Sequence, residues 1–197
     1  GELHIFYSKL IFLGPFCGIR PLRAGNDKSG LVANCLYRFD TDDLMNALKD
    51  KLGDKVTFDE QNASGEQSLC ASIVNSFVAA NVDLIMANAT PALQAAAKAT
   101  KKIPVLGTSI TDYATALEIE NWTGVVGNNI SGTSDLAPLD KQADIFTELL
   151  PDVKKVGLLY CSAEANSQYQ VDKVGEFLEA KGITCKQYAF ADSNDLS

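Results

Sequence analysis

Three stretches of this sequence place hydroxyl, amide and carboxyl side chains where an apolar run or a loop leads into a helical pattern. They are residues 88–90, 132–135 and 161–167. Free backbone N–H groups at a helix start, joined by serine and threonine hydroxyls, form a site for a carboxylate or a phosphate. The Asp135 carboxylate would instead suit an ammonium group. Together these groups have the chemistry that holds a zwitterion such as an amino acid.

The candidate ligand-binding residues lie at the ends of the apolar runs and in the loops that follow them. They are Asn88, Thr90, Thr108, Ser109, Ser134, Asp135, Ser162, Asn166 and Ser167. Tyr113, Trp122 and Tyr169 are candidates for apolar or stacking walls. Because the same polar residue types are also the preferred helix caps, each stretch taken alone is more often structural. The prediction therefore depends on several of these stretches facing one cleft.

Other kinds of chemistry find little support in the sequence. His4 is the only histidine, which argues against the common hydrolase and multi-histidine metal sites. The nucleotide fingerprints GxGxxG and GxxxxGKS/T and the nucleophile motif GxSxG are absent. A formal net charge of −8 argues against nucleic-acid binding. We predict no catalytic residue, no metal and no cofactor.

The five cysteines form no CxxC motif that would indicate zinc. One interpretation is that they are small buried apolar residues. The other is a disulfide between Cys161 and Cys185, which requires that their strands be neighbours.

Helical and strand patterns alternate from residue 42 onward. The predicted helices of the first part are 42–52, 66–80 and 90–101, and its predicted strands are 55–59, 82–87 and 103–106. A short helical piece ends at Leu117. The second part has predicted helices at 136–150 and 167–180 and predicted strands at 155–160 and 183–190.

This alternation predicts an α/β fold of two Rossmann-like lobes with parallel sheets. Ligands of such sheets bind outside the carboxyl ends of the strands. We predict an N-terminal lobe at 1–115, in which 1–41 is atypical, an inter-lobe crossing at 116–130 and a partial C-terminal lobe at 131–197. Two strands and two helices bury too little to be stable alone. We therefore expect the second lobe to be incomplete and the sequence to be cut.

Membrane features are weak in the sequence. No run reaches the roughly 18 apolar residues that would indicate a spanning helix. The apolar stretch from Ile5 to Ile19 contains Lys9. It is interpreted either as a partial export signal or as an ordinary strand and loop.

Four stretches, at 82–94, 103–112, 129–138 and 156–167, resemble the substrate-binding proteins of ABC transporters of the tryptophan/tyrosine-binding type. The resemblance covers about residues 44–197. It implies a periplasmic-binding-protein type 1 fold, with a ligand between two lobes that close on it. It also implies that the loops at Thr90, Thr108–Ser109, Ser134–Asp135 and Asn166–Ser167 line the pocket. Residues 1–41 depart from the family pattern, since they do not show its first strand and ligand-facing loop.

The sequence thus favours an extracytoplasmic solute-binding protein of an ABC importer, not an enzyme, that captures an amino-acid-like ligand, with an aromatic amino acid as one candidate. The implied partners are a permease with its ATPase, and a membrane only through a lipid anchor that these residues do not contain. Three alternatives remain: a ligand-sensing domain of a receptor or regulator, a flavodoxin-like or other α/β enzyme, and a non-functional fragment.

Overall fold

The computed structural model describes residues 11–12, 30–36 and 42–191, with side chains from Leu44 onward. His4, Cys17 and most of the stretch from Ile5 to Ile19 lie outside these residues. Every described helix is too short or too polar to cross a membrane.

The chain divides into two units by its contacts, Gly1–Asp135 and Leu136–Ser197. The first unit contains a sheet of six strands in the order β1-β6-β5-β4-β2-β3. These strands are β1 (Ile11–Phe12), β2 (Gly30–Leu36), β3 (Val56–Asn62), β4 (Leu84–Asn88), β5 (Val105–Ile110) and β6 (Ile130–Ser134). The pair of β1 with β6 is antiparallel, and the other pairs are parallel.

The helices of the first unit are α1 (Asp42–Leu52), α2 (Gln67–Ala79), α3 (Thr90–Ala99) and α4 (Tyr113–Leu117), with a 3₁₀ turn at Gly53–Lys55. Helix α2 buries Cys70, Val74 and Phe77, which are spaced three and four residues apart and so share one face. Strand β4 is an apolar run that is buried over most of its length, as expected for a central strand of a parallel sheet. The α/β fold with parallel strands is therefore confirmed.

The first forty residues contribute a strand that the sequence interpretation missed. Strand β2 lies between β3 and β4 and is parallel to both. The expectation that residues 1–41 lack the first strand of the fold is therefore wrong. The segment Gly30–Leu36 is largely apolar, but Gly30 and Asn34 interrupt the run, and the turn residues before it obscure the pattern.

Strands β5 and β6 differ from their predicted bounds. Residues 108–110, predicted as a loop, extend β5 beyond the apolar run 103–106. Residues 131–134, predicted as a loop that opens the second lobe, form β6 instead. Because β6 pairs with β5, the first unit extends to Asp135. Short polar strands of this kind carry little apolar signal.

The second unit contains a parallel pair of strands, β7 (Lys155–Cys161) and β8 (Thr184–Phe190), and the helices α5 (Leu139–Leu149) and α6 (Ala165–Ala180). Its core includes Ala143 of α5, Leu158 of β7 and Leu178 of α6. Several large apolar side chains of this unit are exposed, among them Leu149 and Leu159.

The register of β7 and β8 excludes the disulfide that the sequence left open. The partner of Cys185 is Val156, whereas the partner of Cys161 is Phe190. Five residues along a strand span about 16 Å, well beyond the roughly 7 Å between Cα atoms that a disulfide tolerates. Both thiols are free.

Tyr113 packs against β5 and β6 at Gly107 and Gly132. Its side chain is 1% exposed, and its hydroxyl donates a hydrogen bond to the Thr133 carbonyl oxygen at 3.2 Å. Gly107 and Gly132 are register partners, and a Cβ atom on either one would meet the Tyr113 hydroxyl. A Cβ atom on Gly132 would also meet the Gly107 carbonyl oxygen. The expectation that Tyr113 forms a pocket wall is wrong, because the ring fills this slot instead.

The segment between α4 and β6 carries Trp122, the only tryptophan of the chain. Its side chain is 37% exposed. Among the residues around it, Asn121, Gly124 and Gly127 have positive φ angles, which suit asparagine and glycine.

We predict that Gly132→Ala destabilises the protein by about 3 kcal/mol, because overpacking and backbone strain add. Urea unfolding gives the free energy of unfolding. The control is Gly127→Ala, whose φ is also positive but whose Cβ atom would meet nothing within 4 Å. It should cost only about 1 kcal/mol. Equal losses in the two variants would show that Tyr113 and Gly107 do not restrict this position.

Candidate ligand-binding site

The parallel register brings six of the nine candidate residues to the carboxyl edge of the first sheet. Asn88 ends β4 and is the register partner of Thr108 in β5. Ser134 ends β6 and is the partner of Ile110. Ser109 and Asp135 directly follow Thr108 and Ser134 in the chain, and Thr90 lies two residues after Asn88. This is the edge at which ligands of open parallel sheets bind.

The residues between β4 and α3 include two buried side chains with unmet hydrogen bonds. Asn88 and Thr90 are each 3% exposed. The Asn88 Nδ2 and Thr90 Oγ1 atoms have no hydrogen-bond partner among the residues that the structure describes. An unmet buried polar group costs about 1–3 kcal/mol. Such groups beside a sheet edge therefore need an explanation, and a ligand would supply one.

The N-terminus of α3 presents further donors at the same place. The helix has no side-chain cap, and the Leu93 N–H donates to the Ala89 carbonyl oxygen at 3.1 Å. The N–H groups of Thr90 and Ala92 have no partner inside the helix, as in the first turn of any helix, and Pro91 between them has no N–H group. Free N–H groups and the helix dipole favour an anion at this terminus.

The end of β5 is irregular. Its pairing with β6 shifts register between Gly107 and Ile110, and Ser109 is exposed with a φ of +55°. The Thr108 carbonyl oxygen accepts a hydrogen bond from the Ala89 N–H at 2.9 Å. Irregularities of this kind re-aim side chains near functional sites. Thr108 and Ser109 thus lie beside the start of α3.

The end of β6 contributes a carboxyl group. The Asp135 N–H donates to the Ile110 carbonyl oxygen at 3.1 Å, and the Ser134 hydroxyl donates to the Thr111 carbonyl oxygen at 2.9 Å. The Asp135 residue is exposed overall, but neighbouring atoms partly desolvate its carboxyl group and raise its pKa. No lysine or arginine of the described residues forms an ion pair with it. A cation would therefore stabilise the ionised form.

Burial, together with the nearby Asp135 carboxyl group, raises the pKa of Tyr113. The phenol therefore stays protonated across the physiological pH range. It remains a donor to the Thr133 carbonyl oxygen in β6, the strand that directly precedes Asp135.

The other three candidates lie in the second unit, near the carboxyl end of β7. The Ser162 N–H and hydroxyl both donate to the Phe190 carbonyl oxygen, at 2.8 and 3.2 Å, which ties this end to β8. Asn166 and Ser167 are in the first turn of α6, which has no side-chain cap. The Asn166 Oδ1 atom is buried without a partner within the described part of the chain. Ser162 therefore has a structural contact, whereas Asn166 resembles Asn88.

The sequence interpretation missed one residue of the candidate site, Ala89. Its φ of 73° and ψ of 161° occur almost only in glycine. An alanine gives no sequence signal for such a conformation. Across the described residues, no group of three or more His, Cys, Asp or Glu side chains is placed to hold a metal ion.

We predict that Thr90→Val leaves the free energy of unfolding unchanged or raises it by about 1 kcal/mol, because the variant removes an unpaired hydroxyl without changing the shape. Thr100→Val is the matched control. The Thr100 Oγ1 atom accepts hydrogen bonds from the Lys102 and Ile103 N–H groups, both at 3.1 Å. Its loss should cost about 1–2 kcal/mol in urea unfolding. A similar loss for Thr90→Val would mean that the Thr90 hydroxyl is paired after all.

Comparisons with known proteins identify relatives over most of the chain. The model of the family described as ABC transporter substrate binding protein matches residues 39–197. A protein of Clostridioides difficile (strain R20291) named tyrosine-binding protein is 35% identical over 157 residues, which cover 78% of this chain and 45% of that protein.

Two solved structures are also similar. An ABC domain in complex with L-Trp from Streptococcus pneumoniae is 33% identical with a TM-score of 0.74, over 83% of this chain and 58% of that one. A conserved domain protein from Vibrio cholerae is 30% identical with a TM-score of 0.76, over 86% and 60%. The chain thus spans about half of the length of these relatives. It has the fold of type 1 periplasmic binding proteins, and it belongs to the ABC transporter substrate-binding protein family.

Proposed function

We propose that the chain is part of the extracytoplasmic solute-binding protein of an ABC importer and that its ligand is a small amino-acid-like molecule, with aromatic amino acids as the first candidates. The observation that carries the proposal is that Asn88, Thr90 and Asp135 lie at one sheet edge. The first two have unmet hydrogen bonds, and the carboxyl group of the third forms no ion pair with the described residues. Relatives that are named for tyrosine binding or hold L-Trp support the choice of ligand.

The two charged ends of an amino acid fit two parts of this edge. The ligand carboxylate would accept hydrogen bonds from the Thr90 and Ala92 N–H groups and from the hydroxyls of Thr90, Thr108 and Ser109. The ligand ammonium group would pair with Asp135, near the hydroxyl of Ser134. A zwitterion satisfies both parts at once, whereas a simple anion would satisfy only the first.

The second unit would supply the opposite side of the pocket in the whole protein. We assign Asn166, Ser167 and Ser162 to that side. Residues 116–130, which the sequence predicts as the crossing between lobes, connect α4 to β6 of the first unit. Closure of the lobes on the ligand would follow if these residues contact the ligand only in the closed form. The division into lobes remains part of this proposal, with residues 130–135 moved to the N-terminal lobe because β6 pairs with β5.

The remaining parts of the function follow from the family. The bound solute would be delivered to a permease with a separate ATPase, and the whole protein would act outside the cytoplasm, held by a lipid anchor. The family and the relatives with a stated ligand are binding proteins, which supports a role without turnover.

We predict that isothermal titration calorimetry detects binding of L-tryptophan, L-tyrosine or a related free amino acid. The corresponding amide lacks the carboxylate and the N-acetyl derivative lacks the ammonium group, so each should bind at least about tenfold more weakly. Absence of heat with every aromatic and aliphatic amino acid would overturn the proposed ligand. Equal binding of the derivatives would overturn the zwitterion model alone.

We predict that Asp135→Asn weakens amino-acid binding by about 30-fold or more, because it removes one partner of a partly desolvated charge pair. Asp152→Asn, at an exposed position, is the control and should bind like the wild type. Calorimetry at several pH values provides a second readout. Wild-type affinity should fall as the pH drops through the raised pKa of Asp135, and the variant should lack this fall.

The stability of the wild-type fold should change with pH in the opposite direction from its affinity for the amino acid. Because its pKa is raised in the folded state, the Asp135 carboxyl group favours folding at low pH, and this contribution is lost as the pH rises through that pKa. Without added amino acid, Asp135→Asn should therefore have a melting temperature at pH 7 that equals or exceeds that of the wild type. Loss of both stability and affinity would assign Asp135 a structural role only.

A further inference from the structure

Ala89 has a backbone conformation that costs energy in any residue with a Cβ atom. Its φ of 73° and ψ of 161° lie in a region that is almost exclusive to glycine. Residues with strained backbones persist only where the surroundings hold them, and they concentrate at functional sites. Ala89 stands between β4 and α3 at the carboxyl edge of the first sheet.

The surroundings of Ala89 do hold this conformation. The Ala89 N–H donates to the Thr108 carbonyl oxygen at 2.9 Å, and the Ala89 carbonyl oxygen accepts from the Leu93 N–H at 3.1 Å. The Ala89 methyl group packs against the core of the first unit. None of these contacts gives the side chain of Asn88 or Thr90 a hydrogen-bond partner.

The residues on either side of Ala89 add a second energetic cost, which is an unmet hydrogen bond in each side chain. The Asn88 Nδ2 and Thr90 Oγ1 atoms are buried and have no hydrogen-bond partner within the described residues. In this arrangement both atoms are covered, so a ligand at the edge would contact them only after a local movement uncovers them. Rotation of the backbone between Asn88 and Thr90 is one movement that would uncover both. Asn88 and Thr90 thus carry unmet hydrogen bonds and Ala89 carries backbone strain, and one local rearrangement would relieve all three costs.

We propose that Ala89 is a positioning residue that stores backbone strain and releases it when an amino acid binds at the N-terminus of α3. Rotation of the two peptide planes that flank Ala89 brings its φ to a negative value and breaks the hydrogen bonds of these planes with Thr108 and Leu93, so that the freed Ala89 N–H donates to the ligand carboxylate instead. The same rotation turns the Asn88 amide and the Thr90 hydroxyl toward the ligand carboxylate. This inference rests on the proposed function, because it assigns a conformational step to the same site.

Released strain adds to binding affinity, since binding then removes a cost that the free protein carries. Glycine adopts the conformation of Ala89 without steric strain, so Ala89→Gly removes the backbone strain of the folded state. The variant should be more stable than the wild type and should bind more weakly. The gain in stability should be smaller than the loss of binding free energy, because glycine also raises the conformational entropy of the unfolded chain.

The test uses the full chain, the variant Ala89→Gly and the control Ala71→Gly, with L-tryptophan and L-tyrosine as probes. Ala71 is exposed in the interior of α2, where glycine lowers helix stability. Thermal unfolding without added amino acid should give a higher melting temperature for Ala89→Gly and a lower one for Ala71→Gly. Calorimetry should show a loss of affinity of about 5- to 150-fold for Ala89→Gly and none for Ala71→Gly.

Each contrary outcome has its own meaning. A melting temperature of Ala89→Gly that falls as it does for Ala71→Gly would show that Ala89 is not strained. Unchanged or tighter binding by Ala89→Gly would show that the present conformation is already the one that binds, which overturns the release. A wild-type chain that binds no amino acid would overturn the proposed function, and the release with it.

Discussion

The hydrogen bond between the Ala89 N–H and the Thr108 carbonyl oxygen is the contact on which the candidate site depends. It joins the residue after β4 to the end of β5, so that α3 begins directly at the sheet edge. Without an intervening loop, the first N–H groups of α3 and the side chains of Asn88 and Thr90 all lie at that edge. The cost of this direct connection is the strained backbone of Ala89.

Two glycines, which have no side chain, are equally important in the neighbouring strands β5 and β6. Gly107 and Gly132 face each other in β5 and β6, and together they leave room for the hydroxyl end of Tyr113. The tyrosine therefore packs across two strands and bonds to the Thr133 carbonyl oxygen, two residues before Asp135. The polar carboxyl edge of the sheet is thus positioned by the close packing of Tyr113 against the two glycines.

Much of this architecture could be predicted from the sequence, because apolar periodicity is the signal of helices and buried strands. The helices α2 and α6 and the strand β4 were found within a few residues of their bounds. The shared edge of Asn88, Thr108 and Asp135 could also be expected, since parallel strands bring their carboxyl ends together. Their roles in binding remain predictions.

Other features left no readable trace in the sequence. Strand β6 contains Ser131, Gly132 and Thr133, which are typical of a loop, and it forms a strand because β5 and β1 pair with it. The separation of Cys161 from Cys185 depends on strand register, which the cysteine count does not determine. The conformation of Ala89 is imposed by contacts with distant residues, and alanine is not a residue type that indicates it.

The exposed Trp122 gives the two units different optical signatures. As the only indole of the chain, it is the dominant emitter under excitation at long ultraviolet wavelengths, and it belongs to the first unit. Its emission therefore follows the melting of the first unit, whereas circular dichroism follows the helices of both. Transitions that coincide in the two signals indicate cooperative unfolding, and transitions that differ resolve the two units within a single sample.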